Sequence, residues 1–472
     1  MRTGTDIILA TLNARYTHCA FGLRYLLANL RELRSRARLL EFNIHQRPLD
    51  IAETILAHHP KILGLGIYIW NVTPSTELVA ILKRLRPDLT IVLGGPEVSH
   101  EPQQQPICHL ADHVIAGEAD LAFAAFCRGQ HPPPSPPNLA DLVLPYDLYT
   151  DEDIARRIIY VEASRGCPFH CEFCLSSLDT SVRQFPLDRF LAAMQKLLDR
   201  GALRFKFVDR SFNLDLQVAQ TILQFFLDRY RPGLFLHCEM IPDRFPESLR
   251  RLLQQFPAGA VQLEIGLQTF NEEVAARIGR RQDNALAESN LRWLREQTGV
   301  QLHTDLILGL PGESLESMAA GFDRLVALRP HIIQVGILKR LRGAPIARHD
   351  EAFGMIYSPL PPYEILQNDE IDFFTMQRLW RFARYWEIVG NRGRFSNLLP
   401  LLWQNGSPFH HFMAFSDWLY NKVGQTHAIA LHRLTSLLAQ YLEMEKGVNP
   451  NEIAQRLRST LPSPSSPPWG ES

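Results

Sequence analysis

The pattern that most constrains this chain is a twice-repeated alternation of short β-like runs with amphipathic helical stretches, broken by His131-Pro132-Pro133-Pro134-Ser135-Pro136-Pro137. Such alternation builds parallel sheets covered by helices, because parallel neighbours need a crossover connection. In the first repeat strands are expected at 6–12, 37–42, 62–69, 90–93 and 113–116, and helices at 23–33, 51–58 and 76–85. Five such units predict a small doubly wound α/β domain over 1–130, flavodoxin-like or Rossmann-like in strand order. The Pro-rich run lacks backbone donors and reads as an extended linker over 131–150. Strands at 158–163, 204–208, 234–239, 260–266, 301–308 and 332–338 then predict a partial (β/α)6 TIM-like barrel over 151–358. Helical signals at 363–388, 398–419 and 428–445 predict a C-terminal helical domain over 359–456, and the Pro- and Ser-rich 457–472 predicts a disordered tail.

The first strand of the second repeat runs into Arg165-Gly166-Cys167-Pro168-Phe169-His170-Cys171-Glu172-Phe173-Cys174. Three thiolates on one loop can hold a [4Fe-4S] cube by three corners and leave one iron open to a small molecule. Zinc bound by the same cysteines with His170 is an alternative, although structural zinc usually joins two separated ligand pairs and no second pair follows. A third reading, unrelated buried cysteines, has to explain three of the chain's seven within eight positions. The other four, Cys19, Cys108, Cys127 and Cys238, are scattered and suggest no disulfide framework.

Composition excludes fibrous and wholly disordered classes: 46% of residues are hydrophobic and 21% charged. A net charge of −1 gives no field to gather nucleic acid or an anionic membrane, so neither is an expected partner. Ile7-Ile8-Leu9-Ala10 is too short for a signal core, and no apolar run has membrane-spanning length. A soluble cytoplasmic protein is expected.

Cys-x3-Cys-x2-Cys with Phe173 before the last cysteine resembles the signature of radical S-adenosylmethionine (SAM) enzymes. That resemblance implies a [4Fe-4S] cluster that binds SAM and cleaves it to a 5′-deoxyadenosyl radical, fed by an external electron donor such as flavodoxin or ferredoxin. The domain order, with the opening Leu12-Asn13-Ala14-Arg15-Tyr16-Thr17-His18, is similar to the cobalamin-binding radical SAM family, in a subgroup with a helical C-terminal extension. Cobalamin is thereby implied as a third cofactor.

Site residues follow from the resemblance. Cys167, Cys171 and Cys174 are the implied cluster ligands and catalytic centre. Asp209 stands where the family holds the methionine amine, although the usual Gly-Gly-Glu is absent. Glu264 and Gln268 match the ribose-binding strand, Gly309 the adenine-packing segment, Phe173 the residue whose backbone meets adenine, and Glu239 the same cavity. On the first domain, Asn13, Tyr68, Asn71, Gly94, Gly95, Glu97, Gly117 and Glu118 are the implied cobalamin-facing residues. His18 lacks the Asp-x-His-x-x-Gly spacing of cobalt-ligating histidines and reads as a loop residue, while His237 reads as a satisfied barrel histidine. The implied activity is cobalamin-dependent methyl transfer to an unactivated carbon of a small-molecule or peptide substrate. A non-methylating radical rearrangement or cyclisation is the alternative within the family, and a cluster-bearing electron-transfer or sensor protein the alternative outside it.

Overall fold

The computed structural model describes residues 5–132, 136–404 and 406–458. Strand β1 (Ile7–Asn13) is buried on both faces. Its even residues Ile8, Ala10 and Leu12 pack with Ile51, Ile55 and Leu78, whereas Ile7 and Leu9 pack with Leu23, Leu30 and Phe123. A period-2 strand with apolar residues at every position must be covered on both sides, which makes the sheet doubly wound. The other strands are β2 (Ala37–Asn43), β3 (Ile62–Gly66), β4 (Thr90–Gly94) and β5 (His113–Ile115). All pair in parallel in the order β2-β1-β3-β4-β5, the flavodoxin-like order.

The segment after the Pro-rich run differs from a free linker. Leu139, Leu142, Tyr146 and Tyr149 are buried, and the Tyr149 hydroxyl donates to the Tyr160 carbonyl at 2.8 Å. Positions 133–135 of that run, like 459–472 of the expected tail, lie outside the described residues. Leu457 and Arg458, placed with the tail by sequence, end a helix (Pro450–Arg458).

The second sheet contains β6 (Ile159–Val161), β7 (Arg204–Phe207), β8 (Phe235–Glu239), β9 (Val261–Gln268), β10 (Gln301–Leu308) and β11 (Ile332–Ile337). They lie side by side in chain order, all parallel, with β6 and β11 as free edges, so the barrel stays open. Its C-terminal strand ends face one mouth, where such folds carry their chemistry.

Beyond β11 a hairpin (Ile356–Tyr357 with Ile365–Gln367) precedes the helix Phe373–Trp386, where sequence predicted one helix from 363 to 388. Asp372 starts the helix by accepting from the Thr375 N–H at 2.7 Å, which leaves 363–371 to the hairpin and its turn. Likewise the expected helix 398–419 is broken before Pro408 into Leu399–Trp403 and Pro408–Val423. Phe382, Trp386 and Phe409 pack on Phe322 of the barrel helix Leu315–Leu328, so the helical unit shares the barrel's core.

Candidate active site

The cysteine loop leaves the mouth end of β6 and is pinched at its base by a short antiparallel pair, Ser164–Arg165 with Arg183–Gln184. Gly166 sits at φ 91°, and a Cβ there would stand 2.2 Å from the Ser181 carbonyl oxygen, so the tight turn into Cys167 admits only glycine. Asp209 fixes the same base: its carboxylate accepts from the Ala163 N–H at 3.0 Å and the Ser164 hydroxyl at 2.6 Å. Farther along, Glu172 accepts from His349 at 2.7 Å and pairs with Arg348, while its N–H donates to the Ile278 carbonyl.

Cys167, Cys171 and Cys174 line one cavity with Phe173, Glu239, Glu264 and Gln268. Among the described residues no three His, Cys, Asp or Glu side chains stand gathered around one metal-ion position. Three spaced thiols on a cavity wall, with Arg280 donating to Cys171 Sγ at 3.6 Å, suit the donor set of a cube whose sulfurs accept hydrogen bonds. Burial pushes the Cys171 thiol up and the Arg280 charge opposes it.

A charged layer lies on the inner face of the strands below the cysteines. Lys206, Glu264 and His303 alternate with buried residues of the opposite face, apolar except Thr304, as period-2 strands require. Glu264 accepts from His237 at 2.6 Å and lies 3.6 Å from Lys206. Burial works to raise its carboxyl, but the His237 hydrogen bond and the Lys206 charge hold it below the usual carboxylate range. Glu239, 3.3 Å from Arg210, is pushed up to about 7 by burial against that guanidinium's pull. The two carboxylates in one cavity are thus set apart, an ionised Glu264 beside a Glu239 that titrates near neutrality.

A second cavity, of about 480 Å³, opens at the C-terminal edge of the first sheet. Gly64, Gly66, Gly94, Gly95 and Gly117 line it without side chains, with Tyr68, Glu118 and the aromatic ring of Phe21 around them. Gly95 is at φ 107°, and a Cβ there would meet the Ile67 carbonyl oxygen at 2.4 Å. Glycine at that position lets the turn after β4 pack on the chain at Ile67, and the backbone so exposed at the sheet's switch-point edge fits a large ligand lying against it. Arg210, with its side chain half exposed, lines both this cavity and the cysteine cavity, so the two adjoin. Arg165 binds the two domains beside them, pairing at 2.8 Å each with Glu118, Asp120 and Glu162.

Five residues named from the sequence do not reach the cavities. Asp209 is spent on Ala163 and Ser164. Asn13 donates to the His18 carbonyl and Glu41. Asn71 is fully buried and clamps Leu12, Gly66 and Tyr68. Glu97 accepts from the Tyr363 hydroxyl at 2.6 Å and from Gln105, joining the first domain to the hairpin. At Gly309 a Cβ would meet Ile365, which places that position against the C-terminal unit. His18, in agreement with its reading as a loop residue, is bonded to the Tyr160 hydroxyl, whereas His237, expected as a satisfied barrel histidine, is bonded to Glu264 through Nε2 only and its buried Nδ1 has no partner among the described residues. Sequence reasoning missed Arg165, Arg210, Arg280, Lys206 and His303. Polar residues at alternate positions of otherwise apolar strands are the signal that finds Lys206 and His303; nothing local marks the three arginines.

Residues 7–127 match the B12 binding domain, 161–325 the Radical SAM superfamily and 351–460 a protein family of unknown function, DUF4080. The chain belongs to the cobalamin-binding radical SAM proteins. Similar curated members include an uncharacterized methyltransferase, PH0819, of Pyrococcus horikoshii, 23% identical over 57% of this chain and 65% of its own length. The cobalamin-dependent radical SAM methyltransferase TokK of Streptomyces tokunonensis is 24% identical over 59% of this chain and 47% of its own. The chain therefore spans between about half and two thirds of the length of these relatives. Among solved structures, the radical SAM methyltransferase TsrM from Kitasatospora setae superposes with a TM-score of 0.58 at 18% identity, over 73% of this chain and 75% of that one. This last likeness is one of fold.

Proposed function

We propose that this protein is a cobalamin-dependent radical SAM methyltransferase acting on an unactivated carbon. The observation that carries the reading is Arg210, which lines both the glycine-lined cavity of the first domain and the cysteine cavity of the barrel. When bound, a [4Fe-4S] cluster with SAM supplies one-electron bond cleavage and cobalamin supplies a methyl carrier, chemistry that belongs to the cofactors. Cys167, Cys171 and Cys174 would hold the cluster, with Arg280 donating to a ligand sulfur. Glu264, kept ionised by His237 and Lys206, would accept hydrogen bonds from the ribose hydroxyls of SAM, and Gln268 lies on the same wall. The glycine-lined edge with Tyr68 and Glu118 would receive cobalamin. Arg210, tethered to Glu239, stands between the two chambers. Walls made by both domains are joined through Arg165 beside the shared space. An external one-electron donor and an organic substrate complete the reaction. Among the described residues no helix is long and apolar enough to cross a membrane.

The reconstituted protein, reduced with SAM and cobalamin present, is expected to form both 5′-deoxyadenosine and S-adenosylhomocysteine, the products of radical cleavage and methyl transfer. Deoxyadenosine alone would replace methyl transfer with a radical rearrangement; neither product would refute the reading.

A further inference from the structure

The open barrel leaves β11 as an edge strand; a cavity of about 400 Å³ runs along it, and a second of about 250 Å³ continues from Ile337 between the hairpin strand Ile365–Gln367 and the helix Phe373–Trp386. They share Ile337, Glu364 and Trp380 and so form one groove between β11 and the helix Phe373–Trp386. Its lining includes strand residues 334–337, about 13 Å of extended chain, beyond which the Leu338 carbonyl accepts from the Ile365 N–H of the hairpin. Phe173, beside the cluster cysteines, lines both this groove and the cysteine cavity.

The chemistry of the strand's outer edge identifies an occupant. The side chain of Asn391 accepts from the Ile333 N–H and donates to the Ile333 carbonyl, both at 3.0 Å, as a neighbouring peptide group would. Leu338 donates inward, to the Leu308 carbonyl. By strand alternation, the N–H and C=O groups of Val335 and Ile337 point the same way as those of Ile333, into the groove. Among the described residues no hydrogen bond reaches them across that edge. Two donors and two acceptors, spaced as in a ladder and enclosed in an elongated groove, are a template for one added strand.

Charge narrows the occupant further. Lys339 and Glu364 stand opposite each other in an antiparallel backbone bridge with no ion pair between them among the described residues, so Lys339 is a second basic group on the lining, and Glu387 accepts from Asn391 at 2.8 Å. Arg384 lines the groove with no carboxylate partner among the described residues.

We infer that this groove binds an extended peptide segment, which pairs its main chain with the outer edge of β11 at Val335 and Ile337 and sets an acidic side chain against Arg384. Added strands keep the pleat of their neighbour, so alternate side chains of the peptide face the same way as Gln334 and Gly336, which share a face with Asp305 and Ile307 inside the barrel. One of them would then project past Phe173 towards the cysteines. That the peptide is the substrate rests on the function proposed above; that the groove binds it does not.

The full-length protein, immobilised, is offered a degenerate library of N-acetylated hexapeptide amides, and retained peptides are sequenced and remade with a fluorophore. The retained set is expected to be enriched in Asp and Glu. N-methylation at alternate amides should weaken binding at least tenfold in one register and leave the other unchanged, because only one register meets the edge. Val335→Pro removes an edge donor without touching the β10 ladder and should weaken binding similarly, and Arg384→Glu should abolish the acidic preference. Retention no greater than on an unrelated protein, or binding indifferent to N-methylation of the peptide, overturns the inference even if the proline variant fails to fold. Reductive SAM cleavage without peptide is measured in parallel: cleavage with no peptide binding removes the peptide and leaves the proposed function, and the reverse result removes the function alone.

Discussion

Arg165 carries the heaviest electrostatic load at the domain junction. Its guanidinium lies 2.8 Å from each of Glu118, Asp120 and Glu162, and its side chain is only 14% exposed. It also covers the Tyr25 ring, 4.8 Å from the centroid. Replacing it in Arg165→Met keeps most of the side-chain volume and removes the charge, leaving the buried Asp120 and Glu162 without their cation while Glu118 keeps Arg183. Breaking a buried ion pair from one side costs ~3–5 kcal/mol. For the barrel, at roughly 2–4 °C per kcal/mol for a domain of 150–250 residues, the expected loss in Tm is on the order of 10 °C. The penalty should depend on pH with a definite sign. Burial already raises the Glu162 carboxyl above its usual value, and the Arg165 charge is what opposes that rise. In the variant the folded-state pKa climbs further above the unfolded one, so folding takes up a proton. Stability lost at pH 8 should therefore be partly regained as pH falls through the raised folded pKa, with the largest penalty on the alkaline side. Thermal unfolding of both proteins between pH 5.5 and 8 measures this. A penalty below about 1 kcal/mol, the size of a surface pair, or one that does not change with pH, would refute the account of the junction.

Asp209, pushed up to about 7 by burial, contributes stability that is present at acidic pH and lost as pH rises through 7; Asp209→Asn should flatten the fall in Tm between pH 6 and 8, and an unchanged slope would count against it. Glu264→Gln removes the ionised acceptor in the cysteine cavity and is expected to weaken SAM binding roughly tenfold or more, since hydrogen bonds to charged groups are worth ~1.5–3 kcal/mol; equilibrium dialysis with labelled SAM checks it, with Glu316→Gln as the surface control. Phe322→Ala, at the contact between barrel and helical unit, should cost ~3–5 kcal/mol, and a single cooperative transition shifted downward would confirm that the two share one core.

Both sheets were legible because their strands are short, apolar and separated by turn residues. Strand β10, expected at 301–308, is Gln301–Leu308, and no other strand end differs by more than three residues. The cysteine loop was legible for a different reason: its ligands are local, and spacing alone reveals them. Asn13, Asn71 and Glu97 look like cavity residues because they follow strands, yet each is taken up by a partner distant in sequence, Glu41, Thr11 and Tyr363 in turn. Sequence position places a side chain near a mouth and does not say which neighbour claims it. Arg210 shows the converse, since its importance comes from two cavities meeting at one side chain, and those cavities come from separate domains. The hairpin at Ile365–Gln367 was hidden inside an aromatic-rich run whose periodicity matches a helix only from Phe373 onward.

The central claim is that one chain brings a cluster cavity and a cobalamin cavity together, and a metal count of the anaerobically reconstituted protein tests it most directly. About four irons with one cobalt per chain, as a single cube and one corrin require, is the expected result, and Cys167→Ala should lose iron while retaining cobalt. Zinc in place of iron, or iron with no cobalt after incubation with hydroxocobalamin, would contradict it.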